Sequence, residues 1–124
     1  MWQGATAAAR IRRLNEQAEI VVFERSGYIS YANCGLPYYI GDVITDPEEL
    51  TLQTPESFFS RFRIMMKVLH EVTAIHHDRK TVSVRNLKTG EEFEEGYDKL
   101  ILSPGAKPTQ PKLSGMEANK LFTL

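Results

Sequence analysis

Cys34 is the only cysteine in the 124-residue chain, and the residues around it are suited to thiol chemistry. Ser30 and Asn33 offer hydrogen bonds beside the sulfur. Pro37 follows at a position that a first helical turn tolerates, because the N–H that proline lacks has no intrahelical partner there. The unpaired N–H groups and the positive dipole end of such a helix stabilise a thiolate. The sequence therefore predicts a redox-active thiol, and the alternative is a small buried apolar residue.

The composition limits what this thiol can do. A single cysteine forms no internal disulfide, so disulfide exchange needs a second sulfur from a bound small thiol, and the other redox cycle passes through a sulfenic acid. The net charge of −1 and the 42% hydrophobic content are typical of a folded domain, not of a disordered or nucleic-acid-binding chain. With no signal peptide or long apolar run in the sequence, we expect a cytoplasmic protein without a membrane or nucleic-acid partner.

Gly4 and Glu24 have the spacing of a dinucleotide site. Gly4 precedes an alanine-rich helical pattern, and Glu24 ends the parallel strand predicted over residues 20–23. In dinucleotide-binding βαβ units a glycine permits close helix-to-strand packing, and an acid about 20 residues later accepts hydrogen bonds from a ribose. The earlier glycines of that motif are absent, so an ordinary amphipathic helix and a solvated charge are the alternatives. Taken together, the two residues favour the nucleotide site.

Local patterns predict an α/β fold around these residues. Asp46-Pro47 and Thr54-Pro55 indicate helix starts, and the second should begin a short helix with Thr54 as N-cap and its aromatic residues facing inward. The β-rich segments between residues 64 and 97 predict an antiparallel ribbon or meander appended to a parallel sheet. An apolar strand through residues 100–102 should then end in a small-residue loop, at the sheet edge where open α/β sheets bind nucleotides.

Two groups of charged or ligating residues favour no special chemistry. His76, His77 and Asp78 are adjacent, and neighbouring strand residues point to opposite faces, so we expect no metal site. The glutamates at positions 91, 92, 94 and 95 are expected to form a solvated face.

The segment Ser-Tyr-Ala-Asn-Cys-Gly-Leu-Pro-Tyr-Tyr-Ile-Gly at residues 30–41 resembles the active-site loop of the coenzyme A disulfide reductases. These belong to the single-cysteine branch of the FAD-dependent pyridine nucleotide-disulfide oxidoreductases. Phe-Glu-Arg at residues 23–25 and Ser-Pro-Gly-Ala at residues 103–106 resemble flavin-contact motifs of the same family. The resemblance covers residues 4–124. It implies a partial Rossmann-like FAD-binding domain over residues 1–124, with an inserted antiparallel meander and with the first strand and most of the Gly-rich turn missing.

The resemblance also implies roles for particular residues. Cys34 would be the catalytic thiol, alternating between a thiolate and a mixed disulfide with coenzyme A (CoA). The residues expected to bind FAD are Gly4, Glu24, Arg25, Val72, Ser103, Pro104, Gly105 and Ala106. The residues expected to bind CoA are Thr6, Arg10, Arg13, Ser30, Asn33 and Lys67. Arg10 and Arg13 share a helical face and can converge on a phosphate, and Lys67 can approach from the ribbon, whereas the alternative is three solvated surface charges. Arg10 departs from a glutamine found in some reductases, so the resemblance supports its individual role less than that of Arg13.

Family members are larger than this chain. By resemblance, NADH or NADPH would reduce FAD, and the NAD-binding and dimerisation domains of the expected homodimer would lie outside these residues. NADH oxidases, NADH peroxidases and CoA-persulfide reductases share much of the cysteine loop and remain alternatives to a CoA disulfide reductase. An inactive remnant or a binding module is an alternative of another class.

Overall fold

The computed structural model describes residues 2–106, apart from the side chains of residues 2 and 3. The helices and strands, in chain order, are α1 (Trp2–Leu14), β1 (Val21–Glu24), β2 (Ser30–Tyr31), α2 (Leu36–Ile40), β3 (Thr51–Gln53), α3 (Pro55–Phe62), β4 (Met65–Val68), β5 (His70–His76), β6 (Thr81–Asn86) and β7 (Glu92–Gly96). Short 3₁₀ turns lie at Asn33–Gly35 and Pro47–Leu50. The fold is α/β, as the sequence predicts.

Strands β1 and β4 form a parallel sheet in which Val21 pairs with Met65 and Glu24 with Val68. Parallel strands need a crossover connection, and the long segment between them, which includes α3, supplies it. The expected strand ending in Glu24 is therefore confirmed. The prediction of an antiparallel ribbon from residue 64 onward is wrong for β4. Its Met66 is buried in the cluster that contains the α1 alanines, and this contact holds β4 in the parallel sheet.

The main core lies between α1, the parallel sheet and α3. Small α1 side chains let the helix approach the sheet closely, and larger residues of the other elements fill the space around them. The buried members of this core are Ala8, Ala9, Ile29, Phe58, Ile64 and Met66. Buried apolar surface is the main favourable term in folding, so this cluster fixes α1 and α3 relative to each other.

Helix α3 begins as its sequence predicts. The Thr54 side chain accepts a hydrogen bond from the Ser57 N–H at 3.2 Å, and the Ser57 hydroxyl accepts one from the Thr54 N–H at 3.0 Å, which completes a capping box. The inward orientation expected of its aromatic residues holds for Phe58 but is wrong for Phe59, which is 53% exposed. Consecutive residues on a helix lie about 100° apart, so both cannot face the core.

Strands β5, β6 and β7 form the predicted antiparallel meander. It joins the parallel sheet through an aromatic contact, because the rings of Phe23 on β1 and Phe93 on β7 lie 6.2 Å apart. The acidic face of the meander is solvated in part only. Glu92 and Glu94 are exposed and pair with arginines, whereas Glu95 is half-buried.

Residues 97–106 contain no strand, so the strand predicted through residues 100–102 is wrong for this structure. A strand needs a neighbour to accept its backbone hydrogen bonds, and within residues 2–106 no strand pairs with this segment. Its apolar side chains are consequently open to solvent, with Ile101 55% and Leu102 65% exposed. Residues 107–124, which the family resemblance also covers, lie outside the described residues. No described helix is long and apolar enough to span a membrane.

Candidate functional site

The segment that contains Cys34 runs from strand β2 to helix α2, and Cys34 between them is exposed. Strand β2 pairs with β3, and the Ala32 N–H donates to the Leu50 carbonyl at 2.8 Å. The chain then makes a 3₁₀ turn at Asn33–Gly35 that leads directly into α2, with Pro37 in its first turn. Cys34 is exposed at this turn. The burial that the alternative requires is therefore not found among the described residues, and the redox role of Cys34 stays a prediction.

Gly35 holds the turn close to the protein. A Cβ added at this position would lie 2.5 Å from Cδ2 of Leu50, a residue only 1% exposed. Glycine is therefore the residue that lets the backbone beside Cys34 rest on a buried leucine. Leu50 has no motif around it, and the sequence offers no sign of this contact.

A cleft of about 510 Å³ lies between α1, α3 and the β2–β3 pair. Thr6, Arg10 and Arg13 line it along one face of α1, and Ser30 lines it from β2. Four of the six residues expected to bind CoA are thus brought together, three of them on α1 and Ser30 on the strand that precedes the exposed cysteine. The rest of the lining outside α1 is mainly apolar and comes from Ile29, Leu52, Phe58 and Phe62, with Gln53 as its polar member.

The arginines of α1 divide into two kinds. Arg10 and Arg13 are exposed at the cleft, and among the described residues neither makes a hydrogen bond or an ion pair within the protein. Arg12 is half-buried and donates from Nε to the Phe62 carbonyl at 2.8 Å. Two arginines are therefore available to an anionic ligand, while the third is used by the protein itself.

Lys67 lies on a different side of the molecule. It alternates along β4 with Met66, whose side chain enters the core, so Lys67 points to the opposite face of the sheet. Its ammonium lies 5.4 Å from the Phe23 ring centre, 5.1 Å from that of Phe93 and 3.6 Å from a Glu95 carboxylate oxygen. The expected approach of Lys67 to the arginine pair is therefore not found. Asn33 is exposed beside Cys34 but is not part of the cleft wall.

Two of the residues expected to bind the flavin lie side by side. A Cβ built on Gly4 would be 3.4 Å from both Cβ and Oγ of Ser103. The start of α1 is thus in contact with the loop over residues 103–106. In that loop Gly105 has φ of 76°, a conformation that glycine adopts at little cost.

Glu24 ends β1, and its Oε1 accepts the Ser26 N–H at 2.7 Å. No hydrogen bond from a described residue reaches its Oε2, so the carboxylate keeps acceptor capacity for a ribose. Arg25 pairs across the surface with Glu71 at 3.7 Å, and Val72 is 40% exposed on β5. The other two members of the expected set, Pro104 and Ala106, are exposed in the loop after Ser103.

The histidines lie in and just after strand β5. Within residues 2–106 no group of three histidine, cysteine, aspartate or glutamate side chains is placed to hold an ion. His76 Nε2 lies 2.8 Å from Ser83 Oγ and 3.7 Å from Glu94 Oε1, in a polar contact across the meander.

Sequence reasoning missed the aromatic wall of the cleft and the contacts of Arg12. Phe58 and Phe62 are one helical turn apart with ring centres 4.8 Å from each other, and this spacing alone predicts only a core-facing stripe. Arg12 reaches residues far along the chain, and no local pattern indicates that.

The sequence model of the pyridine nucleotide-disulphide oxidoreductases matches residues 2–124. The chain belongs to this family. As the family's name says, its members are oxidoreductases that act with pyridine nucleotides and on disulphides.

Individual relatives give a closer comparison. The chain is 50% identical over 121 residues to a coenzyme A disulfide reductase of Staphylococcus aureus, a match that covers 98% of this chain and 27% of the relative. It is 52% identical to reduced CoADR-RHD of Bacillus anthracis, with a TM-score of 0.85 over 94% of this chain and 21% of that one. A water-forming NADH oxidase of Lactobacillus brevis is 34% identical, with a TM-score of 0.78 over 92% of this chain and 25% of that one. The chain thus spans about a quarter of the length of these relatives.

Proposed function

We propose that this chain forms part of the FAD-binding domain of an enzyme that uses NADH or NADPH to reduce CoA disulfide through Cys34. One observation supports this proposal above the others. Thr6, Arg10 and Arg13 on α1 line the same cleft as Ser30, which lies on the strand that leads into the exposed thiol. CoA bears phosphates at a distance from its sulfur, so its disulfide suits a site in which basic residues are separate from a nucleophile.

The cleft residues have different tasks in this proposal. Arg10 and Arg13 present planar guanidinium groups that match phosphate geometry, and each can form charge-assisted hydrogen bonds. The hydroxyls of Thr6 and Ser30 supply shorter-range polar contacts along the same wall. Asn33 lies in the same turn as Cys34 and is placed to contact the part of the substrate near its sulfur atoms.

Cys34 supplies the covalent chemistry. Its thiolate attacks one sulfur of CoA disulfide, so that a Cys34–CoA disulfide forms while the original S–S bond breaks and one CoA thiolate leaves. FAD, when bound, supplies the two electrons, taken as a hydride from NADH or NADPH, that convert this mixed disulfide to the Cys34 thiolate and a second CoA thiolate. The solvent exposure of Cys34 leaves the sulfur open to attack a large disulfide.

The described residues fit an FAD site in two respects. Gly4 at the start of α1 lies in contact with Ser103, so the helix start and the loop over residues 103–106, both assigned to the flavin, meet in this structure. Glu24 retains an acceptor oxygen at the carboxyl end of β1, where a ribose would lie. We assign Arg25, Val72, Pro104, Gly105 and Ala106 to the walls of the same site.

The test is a graft of this chain in place of the matching segment of the Staphylococcus aureus reductase. We expect the graft to bind FAD and to oxidise NADH or NADPH only slowly until CoA disulfide is added under anaerobic conditions. Cys34→Ser should retain FAD and lose at least about a hundredfold in disulfide reduction, because a serine hydroxyl is not ionised at neutral pH. Absorbance of the bound flavin provides the control for assembly.

Arg13→Ala tests the cleft in the same graft. We expect it to weaken CoA disulfide binding by about 1 to 3 kcal/mol, the range for a hydrogen bond to a charged group. Arg79→Ala removes an arginine that is paired with Glu94 on the meander and should leave binding unchanged. A graft that holds FAD but reduces only oxygen or peroxide would refute the CoA assignment. A graft that holds no FAD would refute the flavin-site assignment.

A further inference from the structure

Arg12 connects the two helices that form the cleft. Its guanidinium donates from Nε to the Phe62 carbonyl at 2.8 Å and from Nη2 to the Arg63 carbonyl at 2.9 Å, both at the end of α3. From Nη1 it donates to the Glu16 carbonyl at 2.6 Å and to the Asn15 carbonyl at 3.4 Å, just beyond the end of α1. One side chain thus satisfies carbonyls at the carboxyl ends of both helices.

This contact suits arginine for two physical reasons. The last carbonyls of a helix have no intrahelical partner and form the negative end of its dipole, so a cation there is favourable. The planar guanidinium directs several N–H groups in fixed directions, whereas a lysine ammonium is a single compact charge. Arg63 adds a further constraint, because it ends α3 with φ of 50°, a conformation that non-glycine residues adopt rarely.

The same two helices both supply walls of the cleft. Arg10 and Arg13 flank Arg12 in sequence and present their side chains from α1, while Phe58 and Phe62 line the cleft from α3. The residue whose carbonyl Arg12 binds, Phe62, is therefore itself a wall residue. Any change in the spacing or angle of α1 on α3 moves the charged wall relative to the aromatic one.

We propose that Arg12 is a positioning residue that sets the geometry of this cleft and so determines how well it holds an anionic substrate. The inference rests on the proposed function, in which that substrate is CoA disulfide. Arg12 binds no substrate itself. It acts through the distance between the guanidinium groups of α1 and the aromatic side chains of α3.

The kinetic test uses the FAD-containing graft with Arg12→Met, Arg12→Lys and the control Arg61→Met. Arg61 is an exposed arginine on α3 whose guanidinium lies over the Phe62 ring and, among the described contacts, binds no helix carbonyl. We expect Arg12→Met to raise the KM for CoA disulfide about tenfold and to change kcat by less than about twofold, because misplaced binding groups weaken substrate binding while Cys34 is unaltered. Arg12→Lys should recover part of the affinity, and Arg61→Met should resemble the wild type.

These kinetics differ from those of a merely structural role. Partial unfolding lowers the concentration of active enzyme, which reduces kcat and leaves KM unchanged. An unchanged KM in Arg12→Met, at a temperature where the flavin stays bound, would therefore overturn the proposal.

A second measurement does not depend on the substrate. Spin labels at Leu14→Cys and Phe59→Cys, in the Cys34→Ser background of this chain, report the distance between α1 and α3 from two exposed positions. We expect Arg12→Met to broaden or shift the distance distribution and Arg61→Met to leave it unchanged. If the graft did not reduce CoA disulfide, the proposed function would be refuted. The distances between the labels would then be the test of the positioning role of Arg12. An unaltered distribution in Arg12→Met would then reject its positioning role.

Discussion

Gly35→Ala is the substitution whose outcome the structure defines most sharply. Gly35 has φ of −83° and ψ of −17°, a conformation open to every residue. Alanine at such a position normally stabilises a protein by about 0.4 to 1 kcal/mol, because it restricts the unfolded chain. Backbone conformation alone therefore predicts a more stable protein.

The packing of Leu50 predicts the opposite result, a less stable protein. The new Cβ would lie 2.5 Å from Leu50 Cδ2, whereas two carbon atoms in contact prefer about 3.5 to 4.0 Å. Leu50 is 1% exposed, so its side chain can yield only by disturbing the residues packed around it, and Cδ1 of Ile44 is already in contact with the new atom at 3.5 Å. Overpacking of this kind costs about 1 to 3 kcal/mol. After the backbone gain is subtracted, the midpoints of the two ranges leave a net loss of about 1.3 kcal/mol in the free energy of unfolding, with about 2.6 kcal/mol as the upper limit.

Urea unfolding of the 124-residue chain, followed by circular dichroism, measures this change. Gly27→Ala is the matched control, because no atom lies within 4 Å of its added Cβ, and we expect it to be neutral or stabilising. Leu50→Ala should be destabilising by itself, but Gly35→Ala added to it should then cost nothing, since the clashing methyl group is gone. Equal or greater stability of Gly35→Ala in the presence of Leu50 would refute the argument.

Thr54→Ala should lower the free energy of unfolding of the same chain by about 1 kcal/mol in urea titrations, because it breaks the capping box of α3; no change would show that this cap contributes nothing. Gly90→Ala should cost about 1 to 2 kcal/mol, since φ there is 78°, and Gly96→Ala, which meets no atom within 4 Å, is its control. Lys67→Met should leave the KM of the graft for CoA disulfide unchanged, because the lysine lies between Phe23 and Phe93, away from the cleft. A raised KM would show that Lys67 does contribute to substrate binding.

Short-range patterns determined much of the fold. The Thr54-Pro55 dipeptide predicted the first turn of α3, and the apolar run ending in Glu24 predicted a parallel strand with its acid at the carboxyl end. These predictions succeeded because helix caps and strand periodicity depend on residues within a few positions of one another. The exposed thiol could be anticipated in the same way, from the polar residues and the proline that surround Cys34.

Tertiary structure decided which side chains meet. The sequence placed Lys67 with the arginines of α1, but its neighbour Met66 is buried in the core, and the alternation of a strand then directs Lys67 to the opposite face. Residues 100–102 have the composition of a strand, but they do not form one, because no described strand pairs with them. Arg12 holds the carbonyl of Phe62, 50 residues along the chain, and Gly35 rests on Leu50. A local sequence pattern determines the type of a helix or strand and which of its residues share a face. Contacts such as these depend instead on how segments far apart in the sequence pack, which is determined only when the whole core forms.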